Sequence, residues 1–361
     1  MAARANSPAP DLRGALSRYS DLMLAGTVVG IVAMMIIPLP TLLLDILISA
    51  NIAISVTLLL VSIYVSDALS IATFPSILLI TTLLRLGLNV SSTRLILLQA
   101  DAGQVIYSFG EFVVAGNLVV GVVVFLILTI IQFVVVAKGS ERVAEVAARF
   151  TLDAMPGKQM AIDADLRGGA IDMDGARRQR AALQRESQLY GSMDGAMKFV
   201  KGDAIAGILI TIINIVGGLL IGVLQRGMSA AEAGTIYTLL TVGDGLVSQI
   251  PALLISVAAG IVVTRVASED KQGAHLGRDI GEQVLAQPRA IGIAAALLAL
   301  LAIVPGLPTI PFLLLAAVAG AVAYGLTRRS AASRGRGVAS ARGAAGRSGS
   351  RAASDVADVV G

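Results

Sequence analysis

From Thr41 to Tyr64 the chain carries a single charge, Asp45, and several other stretches are almost as apolar. A run of about 17 to 25 apolar residues is what an α-helix needs to cross the hydrocarbon core of a bilayer. In lipid a chain must satisfy every backbone N–H and C=O internally, so only helices and closed barrels remain. The short alternating segments of a barrel are absent, and the spans are therefore read as helices. Hydrophobic residues make up 56% of the chain and charged ones 14%, against about 45 to 50% and about 25% in soluble domains.

Reading apolar runs between charges and Gly/Pro breaks gives eight spans, at 22–37, 41–64, 68–87, 112–137, 203–225, 234–264, 290–305 and 309–326. The fold class expected is an all-α polytopic membrane protein with a small cytoplasmic module between the fourth and fifth spans. Pro38 and Pro40 leave room only for a tight turn between the first two spans, and Pro305, Pro308 and Pro311 do the same for the last two. Met1–Ser20 lacks the apolar core and small-residue cleavage site of a signal peptide, so Leu22 onward is expected to be a retained first helix, preceded by a cytoplasmic segment at 1–21.

Charge sets the expected orientation. With the N-terminus inside, Lys and Arg number 3 before residue 22, 11 in 138–202, 4 in 265–289 and 7 after 326, which leaves only Arg85, Arg94 and Arg226 elsewhere. This bias places both termini in the cytoplasm. The net charge of +4 thus reports membrane orientation, and nucleic acid is not an expected partner. Segment 138–202 is charge-rich, and its ARRQRAALQRESQLY stretch is polar on nearly every face, so it is expected to pair with another surface or project into water. The tail 327–361 is mostly Arg, Ser, Ala and Gly, too poor in apolar surface to offset chain entropy, and is expected to be disordered.

The sequence has no cysteine and one histidine, His275, so neither a thiolate site nor a multi-histidine metal site is expected, nor any cofactor. His275 reads as a solvated loop residue. No phosphate-loop, HExxH or GxSxG pattern occurs, and no enzymatic activity is expected.

Ionisable groups inside spans cost about 2.5 to 3.5 kcal/mol at the centre and usually face protein or water, so they mark where function lies. Asp244 sits within the sixth span between Gly243 and Gly245, followed by Ser248, Gln249 and Pro251. The glycines and proline predict a broken helix lining a wet cavity. Asp244 then serves either an ion path or a hydrogen bond to a neighbouring helix. Asp203 opens the fifth span, with Asn214 eleven residues later on the same helical face. It can bind protons, cap free backbone donors, or do both. Asp45 and Arg85 fall at equal depth near the outer surface, where they either pair or reach separately for the interface.

RLGLNVSSTRLIL at 85–97, GEFVVAGN at 110–117, RFTLDAMPGKQMAIDADL at 149–166, YGSMDGAMKFVKGDAIAGILI at 190–210 and YTLLTVGDGLVSQIPALLIS at 237–256 together resemble the FHIPEP family of flagellar and type III secretion export-gate proteins. The likeness covers roughly residues 18–326. It implies a homo-oligomeric, nonameric ring in the bacterial inner membrane that couples proton-motive force to export of unfolded proteins, beside other export-apparatus membrane subunits and a soluble secretion ATPase. It also implies an ion-translocating set in Asp203, Asp244, Arg85 and Lys198, to which the reading above adds Asn214. Asp153, Asp163 and Asp165 in the loop are implied to communicate with that path. YGSMDGAMKFVKGDAIAGI and QRGMS look closer to the virulence branch than to the flagellar one. Family members continue into a large cytoplasmic domain that binds chaperones and substrates. Here the sequence runs into its Ser/Arg/Gly tail, so it is expected to be a fragment or to lack that receptor half, with chaperone and substrate binding in doubt. A self-contained secondary transporter would show paired broken helices in internal repeats, and only one such span is read here. A non-conducting scaffold is the third alternative, and it would tolerate neutralised acids.

Overall fold

The computed structural model describes residues 12–114, 116–265, 276–304 and 308–328. His275, residues 305–307 of the expected proline turn, the first eleven residues and the tail beyond 328 lie outside the described residues. The chain forms two compact units, Met1–Gly273 and Ala274–Gly361.

The first unit runs through α1 (Leu12–Ile36), α2 (Thr41–Tyr64), a 3₁₀ turn at Ala68–Ile71, α3 (Phe74–Gln99), α4 (Gln104–Val114), α5 (Leu118–Ile130), α6 (Lys138–Arg167), α7 (Met173–Leu224) and α8 (Ala230–Thr264). A π-helical stretch, Ile131–Ala137, fuses α5 to α6, so helix is continuous from Leu118 to Arg167. The second unit holds α9 (Leu276–Leu285), α10 (Pro288–Leu301) and α11 (Thr309–Arg328). No strand occurs among the described residues.

Among the described residues six helices are long and apolar enough to cross a membrane: Thr41–Tyr64, Phe74–Gln99, Leu118–Arg167, Met173–Leu224, Ala230–Thr264 and Thr309–Arg328. The apolar parts of α1, Asp21–Ile36, and α10 are shorter and coincide with the first and seventh spans read from sequence. Outward-facing residues such as Val119, Val216 and Leu224 are exposed, as expected of a surface that meets lipid or another subunit.

Helix α8 is the hub of the first unit, packed against α2, α3, α4, α5, α6 and α7. Its approach to α4 depends on glycine. A Cβ on Gly243 would stand 2.0 Å from the Ile106 carbonyl oxygen, and one on Gly110 would stand 2.5 Å from the Leu239 carbonyl oxygen. On the other flank of Asp244, a Cβ on Gly245 would meet the Phe125 ring at 2.4 Å. Backbones touch here because neither helix carries a side chain at the crossing.

This corrects the expectation of a broken sixth span. α8 is one uninterrupted helix with Pro251 inside it, and the two glycines serve close packing. The third span is also longer than expected and continues to Gln99, because its polar end is satisfied by α1. Ser91 Oγ donates to the Met34 carbonyl at 2.8 Å, and Arg94 donates to the Ile36 and Met35 carbonyls at 2.6 and 3.0 Å. Arg226 donates likewise to the Leu98 and Gln99 carbonyls at the end of α3. Both arginines thus cap helix C-termini, where the last carbonyls are unpaired and the dipole favours a cation.

The segment read as a module is the paired ends of α6 and α7. Ile162, Ala176 and Leu183 form a small core between them, with Met155, Leu166 and Ile171 packed against it. Lys158–Glu186 at 3.0 Å and Lys201–Glu141 at 2.9 Å bridge the two helices. The polar ARRQRAALQRESQLY stretch therefore pairs with α6.

Candidate functional site

The core of the first unit is polar where α2, α3, α7 and α8 meet. Along α2 the buried face reads Leu44, Ile48, Asn51, Ser55, Leu58 and Ser62, a helical stripe that inserts three polar residues among apolar ones. α3 buries Thr81, Thr82, Arg85, Asn89, Ser91 and Ser92, α7 buries Asp203 and Asn214, and α8 buries Thr241, Asp244 and Ser256. So many buried polar groups require mutual partners or water.

Two pairs organise them. Arg85 Nε lies 2.7 Å from Asp203 Oδ2, with the side chains only 1% and 4% exposed. Asn214 Nδ2 donates to Asp244 Oδ2 at 3.3 Å. Taking an ion from water into a protein interior costs several kcal/mol, and the Arg85–Asp203 pair offsets that cost for both partners. Asp244, 6% exposed, has only neutral partners, the Asn214 amide and the Ser92 hydroxyl, and no cation pairs with it among the described residues.

Two small cavities flank these pairs. One, with about 10 Å³ of room for water, is lined by Asn51, Arg85, Asn89, Ser92, Asp244 and Ser248 together with apolar neighbours. The other, of about 20 Å³, borders Asp203, Asn89, Ser248, Gln249, Thr129 and Gln132 among others. A water molecule needs roughly 10 to 15 Å³ on this measure. Asn89 and Ser248 belong to both walls, so the acids face neighbouring water-sized spaces that share a polar partition. Gln132 lies in the π-helical stretch and Gln249 donates to Thr129 Oγ1 at 2.6 Å, which fixes the far wall.

Asp45 and Arg85 do not form the ion pair that was one of the two alternatives for them. Asp45 accepts from the backbone N–H groups of Gln104 at 3.0 Å and Val105 at 3.1 Å, and so caps the N-terminus of α4, while Arg85 turns inward to Asp203. Free N–H groups and the positive dipole end of α4 supply the stabilisation that a distant cation would have given. Lys198 stands apart from the cluster; its side chain is 60% exposed and bonds Asp194 at 2.9 Å one turn away. In the helical hairpin Asp163 pairs with Arg180, Asp165 lines the groove between α6 and α7, and Asp153 is exposed. None of the three contacts the buried cluster. Among the described residues no group of His, Cys, Asp and Glu could hold a metal ion.

Asn51, Asn89 and Ser92 were not singled out from sequence. Asn51 is an amide in the middle of an otherwise apolar run, a signal that was available. Asn89 and Ser92 fell beyond the assigned end of the third span.

Fold and site together define a helical membrane protein with paired ionisable groups sealed in its bundle. The chain belongs to the FHIPEP family, whose sequence profile matches residues 31–359. It is 59% identical over 314 residues to Low calcium response locus protein D of Yersinia pestis, a match covering 87% of this chain and 44% of that protein. It is 54% identical over 321 residues to hypersensitivity response secretion protein HrcV of Ralstonia nicotianae, covering 88% of this chain and 46% of that protein. To Protein MxiA of Shigella flexneri it is 53% identical over 309 residues, covering 86% and 45%. The chain thus spans less than half the length of these relatives. No solved structure matches it.

Proposed function

We propose that this chain forms the membrane part of the export gate of a virulence-type type III secretion system and couples proton-motive force to export of unfolded proteins across the bacterial inner membrane. The family match and the named secretion relative support the system. One observation supports the coupling. Two buried acids, Asp203 and Asp244, stand beside adjoining water-sized cavities inside the bundle, and among the described residues only Asp203 is in an ion pair.

In this reading Asp244 is the group that gains and loses a proton. Protonation removes the cost of holding a carboxylate without a cation among α2, α3, α7 and α8, and ionisation restores it. The alternation gives the bundle two states of different internal charge. Arg85 pairs with Asp203 beside the second cavity, and Asn214 orients Asp244 from α7. A charge moved across the membrane potential is worth about 2.3 kcal/mol per 100 mV, a sufficient source for a gate without a nucleotide site. Both termini and the α6–α7 hairpin are assigned to the cytoplasm from the Lys and Arg distribution. The assembly is a nonameric ring alongside other export-apparatus membrane subunits and the secretion ATPase. Asp153, Asp163 and Asp165 are the hairpin acids through which it signals to the bundle.

The test is secretion by the bacterium carrying Asp203→Asn or Asp244→Asn in the resident gene, with membrane insertion and assembly verified. Both changes are expected to abolish secretion. Secretion at the parental rate from either would make that acid structural and favour a non-conducting scaffold.

A further inference from the structure

Arg85 is 1% exposed, yet beyond its contact with Asp203 its Nη1 and Nη2 have no hydrogen-bond partner among the described residues. Asn51 Oδ1, on the opposite helix α2 and 3% exposed as a residue, has none either. Both residues line the same cavity, and Asp244 lines it too. Buried donors and acceptors without partners are rare, and a shared polar space between them is where an ordered molecule belongs.

The chemistry of the walls selects the occupant. A cation is repelled by the guanidinium, which carries donors only and cannot lose its charge. An anion is repelled by Asp244 when that group is ionised and cannot donate to the Asn51 carbonyl oxygen. Water alone both donates and accepts, and the space of about 10 Å³ suits one molecule and no more.

We propose that Asn51 and the free guanidinium nitrogens of Arg85 hold a single water molecule against Asp244, and that this water is the first carrier of the proton Asp244 releases. The water accepts from Arg85 and donates to Asn51 Oδ1. When Asp244 is protonated, its carboxyl gives that proton to the water oxygen while the water gives its other proton to a second water in the cavity beside Asp203, across the wall formed by Asn89 and Ser248. Arg85 keeps its charge throughout and only orients. Asn51 is thus a positioning residue, acting through the water. The carrier role rests on the proton-coupled reading above, whereas occupancy of the site does not.

Two measurements on the full chain in lipid vesicles separate these statements. pH-difference infrared spectra in ordinary and ¹⁸O-labelled water should show an isotope-sensitive O–H band in the native chain that is lost in Asn51→Leu and kept in Asn51→Ser, which retains an oxygen. No such band in the native chain, or the same band in Asn51→Leu, would overturn the water site. Should Asn51→Leu fail to insert, the native spectrum and Asn51→Ser decide the matter. In the same vesicles proton flux should fall about two- to tenfold in Asn51→Leu, the order expected for one lost hydrogen bond between neutral groups, and stay near native in Asn51→Ser. Parental flux in Asn51→Leu with flux lost in Asp244→Asn would remove the carrier role and leave the gate reading intact. Parental flux in Asp244→Asn would remove the gate reading, and the carrier role with it, while the infrared band still decides the site.

Discussion

Neutralising Asp203 should harm the fold more than neutralising Arg85, and neutralising both should harm it less than the two losses combined. The pair is 2.7 Å apart and almost wholly buried. At an effective dielectric of about 20 its attraction is on the order of 6 kcal/mol, close to the several kcal/mol per ion that burial costs, so the intact pair is near balance. Removing one partner leaves the other charge uncompensated, at about 3 to 5 kcal/mol. The two singles differ in kind. In Arg85→Met the remaining carboxyl can take up a proton and become neutral, whereas in Asp203→Asn the guanidinium cannot shed its charge. Asp203→Asn should therefore lie at the upper end of that range and Arg85→Met at the lower. The double variant buries no charge at this site and should be less destabilised than Asp203→Asn alone. Unfolding equilibria of the four proteins in detergent, read by helical signal, give the coupling energy directly. Losses that simply add in the double variant would show that the two groups do not depend on each other, and the electrostatic account of the site would fail.

Three further outcomes follow from the packing and the topology. Gly243→Ala should destabilise the bundle by at least about 1 to 3 kcal/mol, since its Cβ would stand 2.0 Å from the Ile106 carbonyl oxygen and α4 and α8 would have to part; an unchanged melting temperature would exclude this contact. Asp45→Ala should cost about 0.5 to 2 kcal/mol of stability through its two backbone bonds, and exchanging the charges of Asp45 and Arg85 should worsen that loss; recovery on exchange would reinstate their pairing. Because the chain has no cysteine, Ser187→Cys can be labelled cleanly, and an impermeant reagent should reach it only after the membrane is opened; labelling in intact cells would reverse the orientation.

What could be read before the structure was mainly depth along the membrane normal. Asp203, Asn214 and Asp244 stood out because a polar group inside an apolar run is costly wherever it faces, and the bundle does gather them. Azimuth was not legible. Asp45 and Arg85 share a depth on the hydropathy pattern, but α2 turns Asp45 to the start of α4 and α3 turns Arg85 to α7, which depends on how helices pack. The glycines beside Asp244 were visible, and their role was not: the same residue that weakens a lone helix lets two helices touch, and the partner, Ile106 on α4, lies in a segment read as mostly loop. The polar end of α3 was cut short because its partners are the terminal carbonyls of α1, which leave no trace in local composition. Asn51 lies in the apolar run from Thr41 to Tyr64 and escaped a rule confined to ionisable groups, although a buried amide also needs a partner.

The most direct test of proton transfer through Asp244 uses the assembled protein in vesicles under an imposed pH gradient, comparing the native chain with Asp244→Asn, which keeps size and hydrogen bonding to Asn214 but cannot titrate. The native protein should dissipate the gradient, and the variant, shown to be equally folded and assembled, should hold it. Equal dissipation by the two would make Asp244 a structural residue and contradict the account.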